Sequence, residues 1–436
     1  MQNKCSVVKF GGGIMPDGNA LVKTSQLAHQ NRYNVAVVSA FSGVTDKLIL
    51  SSKEAIGGKY DSFESVKTLH DGIWKDNVTD QMHNNVYQRL KQVQNSGVRT
   101  EADRAYIESY GEKICAYLFS KESGFVVRTP EEIGLGAKGS FLEAVADGKN
   151  FNVRALEGGN FVVPGFYGVD GGKPKLFGRG GSDYSAAFVA AQMGADELHF
   201  WKNVDGYMSA DPRIVGGAFL RTEMDFHEVE GLGYFGSKII HPRAAEVLKD
   251  SDIIVWIKNF YSPENLGTKV TKQKSTNGFS IAYKDSVALV SIETTRMAEH
   301  AGFAAKIFGL LGRHGIVVDG IGTSQTSISF TINMSESQKT GALLQAAGYS
   351  PKIREDVSLI AVIGDSISSA SLLSRTFSVI EKLGEQDVEL ITKGQNMELS
   401  IVVESSHSRK IITNLHESLM EAHVQKEMMR NNNCSG

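Results

Sequence analysis

The strongest constraint on the fold is an alternation of short apolar runs and helical patterns over the first 260 residues. Several short runs are apolar throughout and rich in β-branched residues, which is typical of strands covered on both faces. Strands are predicted at Ser6–Phe10, Asn34–Phe41, Gly124–Arg128, Asn160–Phe166, Glu197–Val204 and Ile253–Asn259. Helices are predicted at Ser65–Val93, Glu101–Ser120, Tyr184–Met193 and Ala244–Lys249. This order predicts an α/β fold with a mostly parallel sheet between helices.

The pattern changes after Gly267, where two segments of similar layout follow one another. Each reads strand, helix, strand, strand, helix, and an internal repeat of this kind predicts two small α+β domains. A further strand at Phe279–Ala282 precedes the first repeat and is a candidate to complete one of the two sheets. We therefore predict three domains, at residues 1–270, 285–350 and 357–425.

Composition and charge argue against several classes of function. The 436 residues have a formal net charge of -3 at pH 7, so electrostatics favours neither nucleic acid nor an anionic membrane as a partner. The cysteines, Cys5, Cys115 and Cys434, lack the spacing of metal ligands and are interpreted as free thiols of a reducing cytosol. We find no signal peptide, transit segment or membrane-spanning run and expect a cytoplasmic protein.

The most informative motif is FGRGGSD, from Phe177 to Asp183, which an alanine-rich helical pattern follows at once. Its three glycines let the backbone approach a ligand closely, and Arg179 and Asp183 place a cation and an anion in one turn. The next helix adds N–H groups and the positive end of its dipole. The motif therefore predicts a site for a small zwitterion beside a phosphate.

Lys9 stands at the end of the first predicted strand and is followed by Gly11, Gly12 and Gly13. Ligands of open parallel sheets bind at the carboxyl ends of strands, where a lysine and backbone N–H groups can meet a phosphate. The segment is neither a Walker A loop nor a dinucleotide-binding fingerprint. The alternative is a surface lysine before a flexible turn.

Other polar residues have two interpretations each. Ser39 and Thr45 follow the second predicted strand and can bind a ligand or only cap a helix. Gly111 interrupts a helical pattern, which indicates close approach of another group. Glu112, beside it, can bind an ammonium group or lie exposed in solvent.

A polar loop follows the fifth predicted strand and is either turn chemistry alone or part of a ligand pocket. Lys238 is a candidate second phosphate cation, whereas His241 before Pro242 is interpreted as a structural residue. The chain lacks the Ser-His-Asp order, H-E-x-x-H and paired C-x-x-C motifs. These absences argue against a covalent hydrolase or a zinc enzyme.

Taken together, these segments resemble the aspartate kinases of the amino-acid kinase fold, over nearly the whole chain. The matching segments are VKFGG at 8–12, VVSA at 37–40, GVTD at 43–46, SYGE at 109–112, FGRGGSD at 177–183, VDG at 204–206, ADPR at 210–213, YFGSK at 234–238 and HP at 241–242. The two repeats resemble ACT (ferredoxin-like) regulatory domains, and Met297–Ile332 resembles the first ACT unit of lysine-sensitive members.

The resemblance implies an activity and a set of site residues. The activity is transfer of the γ-phosphoryl group of MgATP to the side-chain carboxylate of L-aspartate, the first step of lysine, threonine and methionine biosynthesis, with feedback through the ACT domains. Lys9 and Asp183 would be catalytic, and aspartate would be bound by Ser39, Thr45, Glu112, Arg179 and Asp183. ATP would be bound by Lys9, Gly11, Gly12, Lys202, Asn203, Asp205, Tyr207, Arg213 and Lys238. An effector would be bound by Met297, Gly302, Phe303, Asp319, Ser324 and Gln325.

The resemblance also implies a homodimer or homotetramer formed through the ACT domains, and Mg²⁺ carried by ATP with no metal held by the protein itself. Four positions depart from the family pattern. Gly13 stands where Thr or Ser is usual, Lys202-Asn203 stand where Thr-Asp is usual, and Gln325 replaces an acidic residue of lysine-sensitive members. The effector, lysine or threonine or none, is therefore open. Two other functions also stay open: a kinase of another acidic amino acid, and a catalytically weak amino-acid sensor.

Overall fold

The computed structural model describes residues 4–237, 239–275, 278–293, 302–364, 369–385, 388–393 and 399–433. The chain divides into two compact units. The first comprises Met1–Tyr207, Thr222–Phe226 and Ile239–Gln273, and the second comprises Met208–Arg221, His227–Lys238 and Lys274–Gly436. Among the described residues, no helix combines the length and hydropathy that a membrane span requires.

The strands of the first unit build two sheets. They are β1 (Ser6–Phe10), β2 (Val35–Val38), β3 (Val126–Val127), β4 (Gly136–Gly139), β5 (Ala144–Asp147), β6 (Phe161–Pro164), β7 (Tyr167–Asp170), β8 (Lys173–Leu176), β9 (Glu197–Lys202), β10 (Glu223–Asp225), β11 (Ile254–Asn259) and β12 (Thr268–Thr271). The larger sheet has the order β10-β12-β11-β9-β1-β2-β6-β3. Only β11 and β12 pair antiparallel within its described ladders, so the predicted mostly parallel sheet is confirmed.

Helices cover this sheet and contain two breaks that the periodicity did not predict. The helices that begin before residue 250 are α1 (Gly18–Gln30), α2 (Val44–Glu54), α3 (Asp61–Ile73), α4 (Asn77–Ser96), α5 (Glu101–Glu108), α6 (Tyr110–Ser123), α7 (Gly181–Met193), α8 (Phe226–Tyr234) and α9 (Pro242–Leu248). Apart from Phe226, α8 belongs to the second unit. The helix predicted over Ser65–Val93 ends at Ile73 and starts again after Asp76, whose side chain caps α4 in a capping box. The helix predicted over Glu101–Ser120 is interrupted at Ser109.

The smaller sheet of the first unit, in the order β5-β4-β7-β8, was not predicted. Its strands are four residues long and contain glycine, proline and lysine, so they lack the apolar pattern of buried strands. β8 ends at Leu176 and delivers the chain directly into the FGRGGSD turn. This sheet therefore positions the motif that was the strongest signal in the sequence.

The second unit contains a single six-stranded antiparallel sheet among its described residues, in the order β14-β15-β13-β16-β18-β17. Its strands are β13 (Ser280–Glu293), β14 (Val318–Thr323), β15 (Ser327–Asn333), β16 (Pro351–Ile363), β17 (Glu389–Lys393) and β18 (Leu399–Glu404). Its helices are α10 (Phe303–Arg313), α11 (Ser337–Ala346), α12 (Ser369–Lys382) and α13 (Ser405–Asn433). Each repeat thus has the predicted order of elements.

The extra strand predicted at Phe279–Ala282 is the start of β13. Residues Ser280–Lys284 pair with Leu359–Ile363 of the second repeat, whereas Val287–Ile292 pair with Ile328–Asn333 of the first. β13 therefore belongs to both repeats and joins them into one sheet. The domain boundaries proposed from the sequence stay a prediction.

Two glycines of the first unit differ in what surrounds them. A Cβ atom at Gly111 would lie 2.7 Å from the Cβ of Ala40 and 3.2 Å from a methyl group of Val44. The helix α6 therefore touches the turn after β2, which confirms the close approach expected from a glycine in this pattern. Gly72 in α3 has no neighbour within 4 Å of such an atom.

We predict opposite effects of alanine at these two helical positions. Gly111→Ala should lower the free energy of unfolding by about 1–3 kcal/mol, because overpacking against Ala40 outweighs the better helix propensity. Gly72→Ala should raise it by up to about 1 kcal/mol, since the methyl group meets open space. Urea unfolding followed by circular dichroism measures both. Equal effects of the two substitutions would contradict the close packing of α6.

Candidate functional site

The candidate site is a cleft of about 640 Å³ in the first unit. It lies at the carboxyl ends of β1 and β2, where ligands of parallel sheets bind, and the helices α2 and α7 begin at its wall. Helix N-termini favour negative charge, so both helices make the cleft attractive to anions. The predicted residues that line it are Lys9, Gly12, Ser39, Thr45, Glu112, Arg179 and Asp183.

Asp183 is the centre of a buried ion cluster. Its Oδ1 atom lies 2.6 Å from Nζ of Lys9, and its Oδ2 atom lies 2.7 Å from Nζ of Lys202. Lys9 and Asp183 are each only 6% exposed. Two ammonium groups share one carboxylate, so the cluster keeps one excess positive charge inside the protein.

The three charges act on one another's ionisation. Burial by itself raises the pKa of Asp183, but Lys202 and Lys9 outweigh burial and hold the pKa of this carboxyl well below its ordinary value. Burial lowers the pKa of Lys9, an effect that Asp183 opposes and Lys202 reinforces. Both oxygens of Asp183 are thus engaged by lysines, and the predicted contact of Asp183 with a substrate ammonium stays a prediction.

Glu112 is a second buried carboxyl in the cleft, and its surroundings differ. It lies in the first turn of α6, is 3% exposed, and its Oε2 atom has no hydrogen-bond partner among the described residues. Burial raises its pKa to about 8, against the charge of Lys9, which lowers it. Glu112 is therefore the carboxyl of this cleft that is open to a cationic group.

The FGRGGSD turn holds Arg179 at the edge of the cleft. Gly178 and Gly180 on either side of it have φ angles of 75° and 71°, in the left-handed region that favours glycine. A Cβ atom at Gly180 would also lie 2.3 Å from the ring of His241, so the turn requires glycine there. Arg179 is exposed, and within the described part of the chain its guanidinium forms no ion pair, so it can receive an anion.

His241 itself caps α9: its Nδ1 atom accepts a hydrogen bond from the backbone N–H of Arg243, at 3.4 Å. The cap gives His241 the structural role that was expected before Pro242, and the expectation that it is neither a ligand nor a base stays a prediction. The interpretation of the cysteines as free thiols is confirmed for Cys5 and Cys115, whereas Cys434 lies outside the described residues.

The residues predicted to bind the nucleotide are less well assembled. Gly11 and Gly12 follow β1, and a Cβ atom at Gly12 would lie 2.6 Å from the carbonyl oxygen of Ala40. Asn203 is exposed just after β9, and Asp205 accepts hydrogen bonds from two asparagine side chains. Gly11, Gly12, Asn203 and Asp205 all follow strands of the large sheet, but Asn203 and Asp205 do not line the cleft.

Three further nucleotide-binding residues stay predictions. Tyr207 is 2% exposed, and its contact with a nucleotide stays a prediction. Arg213 belongs to the second unit, where its guanidinium is bound to Asp211, with 2.6 Å between Nη2 and Oδ2. Lys238 lies outside the described residues.

The predicted effector residues lie in the second unit, except that Met297 is outside the described residues. Gly302 and Phe303 are at the start of α10, and the carboxylate of Asp319 is ion-paired with Lys284 of β13. Ser324 bonds to Ser327, and Gln325 is exposed. Asp319 therefore already has a lysine partner from its own chain.

Sequence reasoning missed several residues of the cleft, among them an ion pair and a strained residue. Arg104 and Glu108 form an ion pair with 2.9 Å between Nε and Oε1, and Glu108 is 3% exposed. Their i, i+4 spacing on a predicted helix, one turn before Glu112, was a usable signal. Phe166 lines the cleft with a φ angle of 74°, a strained conformation that clusters at functional sites and leaves no mark in a single sequence.

Comparison with known proteins places the chain in a family. A model of the amino acid kinase family matches residues 4–259, which contain the whole cleft. The chain belongs to the amino acid kinase family. A model of the ACT domain matches residues 290–347 in the second unit.

Several relatives of this chain are aspartokinases. The chain is 27% identical to chloroplastic aspartokinase 2 of Arabidopsis thaliana, across 95% of this chain and 84% of the relative. It is 26% identical to lysine-sensitive aspartokinase 3 of Escherichia coli, across 95% of this chain and 99% of the relative. The solved structure of E. coli aspartokinase III in complex with lysine and aspartate has a TM-score of 0.75 at 24% identity, covering 95% of this chain and 99% of that one. The fold is thus that of an aspartokinase.

We predict that Glu112 makes the free energy of unfolding of this amino acid kinase decrease as the pH rises. Because its pKa rises from an ordinary 4.5 to about 8 on folding, the folded chain holds a proton that the unfolded chain has released between these values. The contribution of Glu112 to the free energy of unfolding is fully present below pH 4.5 and is lost as the pH rises toward 8. The Glu112→Gln variant lacks this loss, so its stability relative to the wild type should grow by about 1.4 kcal/mol per pH unit.

Urea unfolding of both proteins at pH 5, 6, 7 and 8 measures this slope. Glu122→Gln is the matched control, because Glu122 is an exposed glutamate on the same helix. A constant difference between Glu112→Gln and wild type across these pH values would contradict the burial of a neutral carboxyl.

Proposed function

We propose that this protein transfers the γ-phosphoryl group of ATP to the side-chain carboxylate of L-aspartate and forms 4-phospho-L-aspartate. The observation that carries the proposal is the cluster of Lys9, Asp183 and Lys202, because Lys9 and Asp183 line the cleft together with Glu112 and Arg179. The choice of aspartate is supported by the aspartokinase relatives, which extend over 95% of this chain.

The chemistry needs cations more than it needs a base. A side-chain carboxylate with an ordinary pKa near about 3.9 is ionised at pH 7 and can attack phosphorus without losing a proton. The obstacle is repulsion between this anion and the triphosphate, so the reaction depends on positioning and on positive charge. Lys9 and Lys202 supply that charge from inside the protein, and Asp183 keeps both ammonium groups at one point before substrates arrive.

The remaining residues of the cleft suit the two ends of an amino acid. The exposed guanidinium of Arg179 can bind the α-carboxylate in a bidentate pair. Glu112 can bind the α-ammonium, and in doing so it gives up the proton that it holds at neutral pH. Ser39 and Thr45 line the same cleft and can donate hydrogen bonds to either carboxylate.

Magnesium would enter this reaction as part of the substrate, bound to ATP. Within the described residues, no group of three or more His, Cys, Asp and Glu side chains is arranged to hold a metal ion. The absence of a metal site on the protein itself stays a prediction.

We also propose that the second unit binds an amino acid that regulates the kinase. The match to the ACT domain model and the lysine-sensitive relative from E. coli support this. Lys284 forms an ion pair with Asp319 and would have to move before the ammonium group of an effector could reach that carboxylate. An assembly of two or four copies through this unit also stays a prediction.

A kinase assay with MgATP and trapping of the acyl phosphate by hydroxylamine tests the proposed reaction. We expect trapping with aspartate and much less with glutamate, and a loss of kcat of about 100-fold in Lys9→Met.

The same assay with lysine, threonine or both tests regulation. A preference for glutamate would favour another kinase of the fold, and a lack of MgATP binding in calorimetry would favour an amino-acid sensor.

The variant Lys202→Met tests whether the excess charge of the cluster acts on the phosphates. With Lys202 removed, Asp183 neutralises Lys9 and the cluster has no net charge, so kcat should fall by about tenfold and the KM for ATP should rise. Lys202→Arg keeps the charge and is the matched control. A Lys202→Met enzyme with unchanged kcat and KM would show that Lys9 alone serves the reaction.

A further inference from the structure

The first unit contains a second cavity, of about 390 Å³, that shares no lining residue with the cleft. It lies beside α6, where Lys113 and Tyr117 face it, and reaches the end of β6 and the start of β7 at Pro164 and Tyr167. Neither the sequence motifs nor the proposed kinase reaction uses this cavity.

Two hydrogen-bond donors of this cavity lack an acceptor. The hydroxyl of Tyr167, a residue with 0% exposure, has no hydrogen-bond partner among the described residues. The ammonium group of Lys113 lies 4.8 Å from the centre of the Tyr167 ring and 5.5 Å from that of Tyr106, and it forms no ion pair within the described part of the chain. Lys113 is half-buried, whereas Tyr167 is fully buried, and buried donors without acceptors are rare in native proteins because they lose their hydrogen bonds to water without replacement.

The electrostatics around Lys113 point the same way. Burial lowers the pKa of Lys113, and the charge of Glu131 opposes this effect without forming an ion pair with Lys113 in the described part of the chain. Glu131 is exposed at the edge of the cavity. An anion that entered beside Lys113 would give its ammonium group the close partner that the protein does not provide.

The other walls select the kind of anion. Met82, Val127 and Pro164 present hydrocarbon to the cavity, together with the ring of Tyr117. Thr129 adds a hydroxyl to these walls, but the larger part of their surface is hydrocarbon, which suits an apolar tail better than the several oxygens of a phosphate. The volume is near the lower end of the range for ligand sites, so the ligand is small.

We propose that this cavity binds a small monocarboxylate with an apolar tail. The carboxylate accepts hydrogen bonds from the ammonium group of Lys113 and the hydroxyl of Tyr167, and the tail packs against Met82, Val127 and Pro164. This proposal does not rest on the kinase reaction, because every residue that it uses lies outside the cleft.

The test uses the full chain labelled with ¹³C-methyl methionine, so that the methyl group of Met82 reports on the cavity by NMR. The probe is 4-methylpentanoate, and Met82→Leu assigns the signal. We expect a saturable shift of the Met82 signal with 4-methylpentanoate, and no such shift with 4-methylpentylamine, which has a similar tail and the opposite charge. Equal shifts with both compounds, or no shift with either, would overturn the proposal.

Variants separate binding from a purely structural role. Lys113→Met and Tyr167→Phe should each weaken 4-methylpentanoate binding by about tenfold or more, whereas Lys53→Met, at an exposed lysine of α2, should not change it. Tyr167→Phe should melt at the same or a higher temperature than the wild type, since it removes an unpaired buried donor. A lower melting temperature with unchanged binding would mean that the hydroxyl serves the fold and not a ligand.

Discussion

The site depends on the sharing of one buried carboxylate by two lysines. Lys9 is the last residue but one of β1, Lys202 ends the neighbouring strand β9, and Asp183 lies in the first turn of α7. A buried ammonium group is costly unless an opposite charge lies close to it, and here one carboxylate stabilises two of them. Because the compensation is incomplete, the protein keeps a positive charge where it excludes water. That remaining charge is what an anionic substrate would neutralise.

The same cleft holds two carboxyls in opposite states. Asp183 is ionised because two ammonium groups touch it, whereas Glu112 stays protonated at neutral pH because burial dominates its surroundings. Their roles follow from this difference. Asp183 binds ammonium groups of the protein itself, whereas Glu112 is available to the ammonium group of a ligand. Divergent pKa values of paired acids are a common mark of assigned roles in active sites.

Much of this could be predicted from the sequence, and the failures have physical causes. The parallel sheet followed from apolar runs, and the contact behind Gly111 followed from the cost of glycine in a helix. The small sheet was missed because strands such as Lys173–Leu176 carry lysine and proline in place of an apolar pattern. The bond from Lys202 to Asp183 was missed because it depends on which strand lies next to β1, and a periodicity does not determine strand order.

Two pairs of consecutive residues connect the cleft and the second cavity. Glu112 and Lys113 are consecutive on α6 and face different spaces, since successive helical residues point about 100° apart. Phe166 and Tyr167 are also consecutive, one in each site, and Phe166 holds the strained left-handed backbone. A ligand in the cavity affects the cleft only if it binds unequally to two arrangements of these residues, because equal binding shifts no equilibrium. Such a difference would pass through the two peptide bonds, because each of them joins a residue of the cleft to a residue of the cavity.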